Sequence, residues 1–275
     1  MKKRTDKRKF IEEKLKSQEN NKLNKNKYKF YADRTTLPIK AMNLNQEKYL
    51  HNLKTKEQIF VLGPAGTGKT WIAATYAADL YRNKKINKII LTKPNVPCGR
   101  SLGFFPGSLE KKFAPWTAPI IDALKDRLGG AVYEIATKNG DIEVIPFEVM
   151  RGRSWKNAFI ILDEAQNTTI QEIRMFLTRS GENCITVING DISQCDIDQS
   201  SGLYKAICLI KDLFLPIPVI EFTLDDIVRS DLCAMWSRAF ESKAFQQGHP
   251  IKYDIYERFS DANSDTWKQF EYNNI

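Results

Sequence analysis

Histidine is almost missing from this chain: 275 residues hold only two, His51 and His249. Cysteine is sparse too. Its five positions, Cys98, Cys184, Cys195, Cys208 and Cys233, are odd in number, and no two form a C-x-x-C pair. A dedicated transition-metal site draws on clusters of these residue types, so the sequence argues against one. The same scatter fits a reduced, cytoplasmic setting without a disulfide framework. No apolar run approaches the length that crosses a bilayer, and the basic N-terminus lacks the apolar stretch of a secretory signal, so no membrane partner is expected. A chain of this length can bury a sizeable core without staples, as one large domain or two small ones.

Acidic charge is short in one place only. Residues 1–29 carry 12 Lys/Arg against 4 Asp/Glu, whereas the rest of the chain carries 30 against 29. The body is nearly neutral and the N-terminal arm is a polycation. Such an arm suits a nucleic-acid backbone, or serves as a solubilising extension; composition alone supports both. Its few large apolar residues predict a flexible segment.

Glycine is used sparingly, with 14 in all, yet three fall within eight residues: Gly63-Pro64-Ala65-Gly66-Thr67-Gly68-Lys69-Thr70. This is G-x-x-x-x-G-K-T, the loop that binds the phosphates of a nucleoside triphosphate. Gln58–Leu62 before it reads as a buried strand. Trp71–Tyr81 after it reads as a helix whose Ala73, Ala74, Ala77 and Ala78 permit close packing on a sheet. Strand, glycine loop and helix are the setting the motif requires. The loop amides form an anion nest, and the helix N-terminus adds partial positive charge. Lys69 can reach the β- and γ-phosphates, and Thr70 can offer its hydroxyl to Mg2+.

The second anchor is Phe159-Ile160-Ile161-Leu162-Asp163-Glu164. Four apolar residues running into two acids read as a buried parallel strand with its carboxylates at the C-terminal end, where open α/β sheets place ligands. There Asp163 holds Mg2+ through its water shell and Glu164 orients and deprotonates an attacking water. After the strand at Cys184–Ile188, Gln194 is the polar side chain placed to sense the γ-phosphate. Arg229, near the start of a helix read from Asp225 onward, is a cation long enough to reach phosphate. Gln46, on a helix from Gln46 to Leu53 capped by Asn45, precedes the glycine loop by about 17 residues. It is either an adenine contact or a solvated helix residue.

Further strands are read at Lys88–Thr92 and Pro218–Phe222, and helices over residues 116–128, from Ile170 to about Arg179 and from Leu203 to Leu213. Asn139-Gly140 predicts either a hairpin between Val132 and Phe147 or a helix in the run before it, with Ile142–Ile145 the firmer strand. Arg151 and Arg153 flank Gly152 and suit either phosphate or surface ion pairs. The alternation of strands and helices calls for a three-layer α/β fold with a mainly parallel sheet, RecA-like in type.

Six stretches in order, GPAGTGKT (63–70), LGFFPGSLEKK (102–112), MRGRSWKNAFIILDEAQN (150–167), MFLTR (175–179), NGDISQCD (189–196) and DIVRS (226–230), resemble the PhoH-like family of P-loop ATPases, relatives of superfamily 1 helicases. The resemblance covers roughly residues 40–240. It implies ATP binding and hydrolysis with Mg2+, single-stranded RNA ahead of DNA as the polymer, helicase-like activity, and a homo-oligomer such as a hexameric ring. It makes Lys69 the phosphate lysine, Thr70 and Asp163 the Mg2+ residues, Glu164 the base, Gln194 the γ-phosphate sensor and Arg229 the arginine finger, acting from its own subunit or a neighbour. The expected organisation is a basic arm over residues 1–35, an ATPase domain over 36–245 and an extension over 246–275 without an assigned role.

The chain departs from the family pattern at Lys93, where an arginine is usual, at Arg100-Ser101, where a glutamate precedes Leu-Gly, and at Ser230, where a histidine follows the arginine. The ATP core is expected to be untouched by these changes; they bear on the 93–112 loop and on any polymer contact through it. No nuclease segment precedes the ATPase, and no nuclease activity is expected. Two other readings compete: an ATP-gated oligomeric assembly module, and a small-molecule phosphotransferase, against which the Asp163-Glu164 pair and Gln194 favour water as acceptor.

Overall fold

The structure, a computed structural model, describes residues 37–94, 109–197 and 201–241. The expectations for the basic arm, for most of the 93–112 loop and for the C-terminal extension lie outside the described residues. The described residues fall into two units that divide between Ser230 and Asp231.

In the first unit the elements run α1 (Leu44–Thr55), β1 (Gln58–Leu62), α2 (Lys69–Arg82), β2 (Lys88–Thr92), α3 (Leu109–Leu128), α4 (Gly130–Lys138), β3 (Ile142–Val144), β4 (Ala158–Leu162), α5 (Ile170–Leu177), β5 (Ile185–Gly190), α6 (Gly202–Asp212) and β6 (Val219–Glu221). The six strands form one sheet in the order β3-β2-β4-β5-β1-β6, and every pairing is parallel. The second unit contributes α7 (Asp231–Glu241), on which the Trp236 and Phe240 rings stack.

Strand residues alternate between two cores because successive side chains leave opposite faces. Ile59 and Val61 of β1, Ile89 and Leu91 of β2, and Phe159 and Ile161 of β4 join α1 to α4 in one core. Phe60 and Leu62, Ile90, and Ile160 and Leu162 join α5 and α6 in the other. Helices on both faces complete the three layers of an α/β P-loop fold of RecA-like type. All four alanines of α2 are fully buried, so its backbone lies close against the sheet.

Several local expectations change. Asn139-Gly140 makes no hairpin. Asn139 caps α4, Asp141 N–H donates to the Ala136 carbonyl and Gly140 N–H to that of Thr137. This is the glycine-terminated helix end that an Asn-Gly pair serves as well as a tight turn. β3 then pairs parallel to β2. Helix α3 starts at Leu109 and runs through Pro115 and Pro119. Its buried face through Ile120, Ala123, Leu124 and Leu128 outweighs the hydrogen bonds the prolines remove. Asn43, rather than Asn45, caps α1: its side chain accepts the Gln46 N–H at 2.8 Å. Asn45 instead donates to the Asp226 carboxylate at 2.7 Å. The helix read from Asp225 starts later, at Asp231, as α7; Asp225 and Asp226 belong to a short 3-10 turn, Leu224–Asp226, closed by Asp226 accepting from Thr223 N–H at 2.8 Å. Arg229 therefore lies in the connection before α7.

Candidate nucleotide site

β1 ends at Leu62 and α2 begins at Lys69, so the glycine loop follows the C-terminal end of an interior strand, between β5 and β6. The loop's first turn needs glycine. At Gly63, with φ +132°, an added Cβ would meet the Phe222 backbone carbonyl and the Phe222 Cβ at 2.7 Å. Gly66, with φ +87°, sits beneath Arg229, whose Cδ would lie 3.3 Å from a Cβ there. L-residues adopt such φ only at a cost of about 1–2 kcal/mol.

Lys69 projects its ammonium over this loop and donates to the carbonyls of Gly63 at 2.5 Å and Pro64 at 2.7 Å. Burial lowers its pKa, against the pull of Asp191, Asp163 and Glu164. Thr67 is buried, and its hydroxyl bonds the Pro64 carbonyl at 3.0 Å. Gln46 is buried as well, so it is no solvated helix residue. Its amide donates to the Thr67 carbonyl at 3.0 Å and accepts from Met42 N–H at 2.9 Å, which ties α1 to the loop.

β4 delivers the two acids. Thr70 Oγ1 donates to Asp163 Oδ1 at 2.9 Å, although the residues are 93 apart in sequence. Burial raises the Asp163 pKa and Glu164 raises it further; Lys93, the Thr70 hydroxyl and Lys69 oppose them. Glu164 has left-handed backbone, φ 54°. Both of its carboxylate oxygens are held: Oε2 accepts from Gln166 Nε2 at 2.7 Å, and Oε1 lies 3.5 Å from the Lys93 ammonium, so the departure at Lys93, against expectation, falls within the ATP site.

β5 brings the third edge. Asp191 is buried; its Oδ1 accepts from Ser193, while Oδ2 has no hydrogen-bond partner among the described residues. Gln194, at the end of the Ile192–Gln194 turn, is exposed. A cleft of about 580 Å³ collects these groups, with Gln46, Gly66, Lys69, Thr70, Trp71, Lys93, Asp163, Glu164, Asp191, Gln194 and Arg229 among its walls. All the site residues expected from the sequence thus belong to the loop or to its surroundings in one chain. Arg229 stands over its own chain's loop, with Val228 N–H donating to the Gly66 carbonyl at 3.0 Å.

The sequence reading missed Gln166 and Asp191. Gln166 is buried, and its carbonyl accepts Asp191 N–H at 3.0 Å while its amide holds Glu164. It joins Glu164, just past β4, to the loop after β5. Its signal was a polar residue two positions after the acid pair; that of Asp191 was an acid directly after a strand.

Residues 38–241 match the family described as PhoH-like protein. This chain belongs to that family. Protein PhoH of Escherichia coli (strain K12) is 42% identical over 211 residues, 75% of this chain and 59% of that protein. A PhoH-like protein of Bacillus subtilis (strain 168) is 42% identical over 207 residues, covering 74% and 65%. One of Mycobacterium tuberculosis (strain ATCC 25618 / H37Rv) is 41% identical over 196 residues, covering 70% and 55%. The chain thus spans between 55% and 65% of the length of these relatives. Membership in the PhoH-like family and the loop geometry make the protein a P-loop nucleoside-triphosphate-binding protein. Among the described residues, no helix is long and apolar enough to cross a membrane.

Proposed function

We propose that this PhoH-like chain hydrolyses ATP and couples turnover to single-stranded nucleic acid, RNA ahead of DNA, as a cytoplasmic homo-oligomer. The observation that carries the reading is the 2.9 Å contact between the loop hydroxyl of Thr70 and the strand-end carboxylate of Asp163, with Glu164 beside it. Triphosphate anchor, metal ligand and base then share one cleft.

Magnesium fits the donor set: a hydroxyl and a carboxylate are the hard oxygen ligands it takes, and Thr70 and Asp163 would hold it. When bound, it supplies neutralisation of charge on the phosphate oxygens. The protein's own groups do the rest. The loop amides and the α2 N-terminus hold the phosphates, and Lys69 exchanges its two carbonyl partners for phosphate oxygens. Glu164, fixed on both oxygens, aligns water and takes its proton. Gln194 senses the γ-phosphate. Arg229, already over Gly66, adds positive charge to the transferring group from within the same chain. Gln46, beside the loop, is the adenine contact. The first unit holds one sheet of this kind, so movement along a polymer needs a second such core, which a neighbouring subunit of the homo-oligomer would supply.

The test is phosphate release from ATP with Mg2+, alone and with single-stranded RNA, single-stranded DNA or duplex, alongside the mass in solution. Free phosphate, released faster with single-stranded RNA, is the expected result. A phosphorylated small acceptor would make the protein a phosphotransferase. Turnover no higher than that of Glu164→Gln would leave an ATP-gated assembly module.

A further inference from the structure

A second, open groove lies elsewhere in the first unit. It measures about 850 Å³ and runs along α5, bounded by that helix and by the segment around Phe147 and Arg151. Lining residues occur from Thr169 to Arg179, so the groove follows the whole helix. Eight helical residues span about 12 Å, the length of about three nucleotides stacked at ~3.4 Å each.

Its charge is one-sided. Arg151, Arg174 and Arg179 line it, against the single carboxylate of Glu172. That carboxylate is already engaged, accepting from Thr169 N–H at 2.7 Å and the Thr169 hydroxyl at 2.9 Å. Nearby cations elsewhere are paired: Lys88 and Arg153 with Glu143, and Lys156 with Glu182. Among the described residues no carboxylate pairs with Arg151, Arg174 or Arg179. The groove floor carries the half-buried Met175 as its apolar surface, over a buried layer in which Phe147 stacks on Phe176 at 5.8 Å. Guanidinium groups on the rim, neutral hydroxyls such as Thr178 between them, and an apolar floor are what a phosphodiester strand with unpaired bases calls for.

We infer that this groove is the track for single-stranded nucleic acid, with Arg151, Arg174 and Arg179 contacting successive phosphates and the half-buried Met175 beneath the bases. The inference rests on the proposed coupling of ATP turnover to a strand and adds where the strand lies. An acidic peptide would satisfy the arginines equally; the apolar floor and the length favour the strand.

The experiment uses the full chain and a fluorescein-labelled 20-nucleotide oligo(U), read by anisotropy across a salt series. Arg151→Glu with Arg174→Glu should weaken binding at least tenfold and reduce the slope of log affinity against log salt by about 1.4, since two phosphates of a single strand are no longer neutralised. Arg151→Gln with Arg174→Gln, which adds no negative charge, should give the same slope change with a smaller loss. Affinity for a fluorescent ATP analogue should stay within twofold, which reports an intact fold. Lys48→Glu with Lys54→Glu, on the exposed side of α1, makes the same change in net charge and should leave RNA affinity within twofold. If the wild-type protein binds oligo(U) and the groove variants bind it equally well, the track lies elsewhere and the proposed function stands. An equal loss in the α1 variant would reduce the effect to net charge and overturn the groove. Groove variants that lose polyglutamate but keep oligo(U) would assign it to an acidic protein. No binding of oligo(U) by the wild type would overturn the coupling itself, and the groove with it.

Discussion

Gln166 offers the sharpest separation of a structural from a catalytic role. Its side chain has two partners that differ in solvent access. Asp191 N–H, which donates to its carbonyl at 3.0 Å, is buried. The Glu164 side chain, which accepts from its amide at 2.7 Å, is 41% exposed. Gln166→Leu keeps most of the volume and removes both bonds. The orphaned N–H should cost about 1–3 kcal/mol, whereas water can replace the bond to Glu164, so that bond adds little to stability. At roughly 2–4 °C per kcal/mol for a domain of this size, Tm should fall by about 2–12 °C. The catalytic effect comes from the other partner. A freed Glu164 keeps only the 3.5 Å contact to Lys93. Base catalysis contributes about 10²–10⁴ in rate, and loss of orientation should forfeit about 10- to 100-fold of it in kcat, with KM for ATP unchanged.

Gln166→Glu tests the electrostatics. Its carboxylate still accepts from Asp191 N–H, but it buries a charge at a fully buried position, so Tm should fall at least as far as with leucine. It also sets a second negative charge against Glu164, so kcat should fall at least as far. Thermal unfolding by circular dichroism and a steady-state phosphate-release assay give both readouts. If Gln166→Leu lowers Tm while kcat stays within twofold of wild type, the contact to Glu164 is structural and the argument fails.

Glu164→Gln should retain binding of a fluorescent ATP analogue and lose turnover by at least 100-fold; loss of both would mean that the carboxylate shapes the loop. Gly66→Ala forces an L-residue to φ +87° against Arg229, so nucleotide Kd should rise about tenfold and Tm should fall by about 2–8 °C. In Gly202→Ala, the added Cβ meets the Thr169 carbonyl and the Ile173 Cγ2 at 2.9 Å, so unfolding should show a loss of about 2–3 kcal/mol. Deleting residues 1–29 should weaken single-stranded oligonucleotide binding across sequences and flatten its salt dependence; unchanged values would leave the arm a solubilising tail.

What could be read from the chain was what is local. The glycine loop is contiguous, and the acid pair directly follows four apolar residues, so both were legible. The strands were legible because they are apolar on both faces. Asn139-Gly140 misled because the same dipeptide ends helices and turns hairpins, and only the parallel partner β2 decides between them. The partners of Glu164 were not legible, because Gln166 acquires its role from Asp191, which the pairing of β4 with β5 brings alongside. Arg229 was named as a phosphate cation, but its place over Gly66 depends on the Val228–Gly66 hydrogen bond, which no spacing in the sequence encodes.

The segment between the base and the groove fixes how a bound strand would act. From Glu164 to Thr169 nearly every side chain is pinned. Gln166 bonds Asp191, and Asn167 bonds Asp196 twice, at 3.1 and 2.8 Å. The Thr168 hydroxyl donates to the Ala165 carbonyl at 2.7 Å, and the Thr168 carbonyl accepts Gly202 N–H at 2.6 Å. Thr169 then opens α5 and the groove. A strand that shifts α5 would therefore act first on the orientation of Glu164, whereas Lys69 and Thr70 belong to α2 on the opposite face of the sheet. Stimulation by RNA should accordingly raise kcat and leave KM for ATP unchanged, and Arg151→Glu with Arg174→Glu should remove that rise without lowering the basal rate. Stimulation expressed only in KM would route the coupling through the glycine loop.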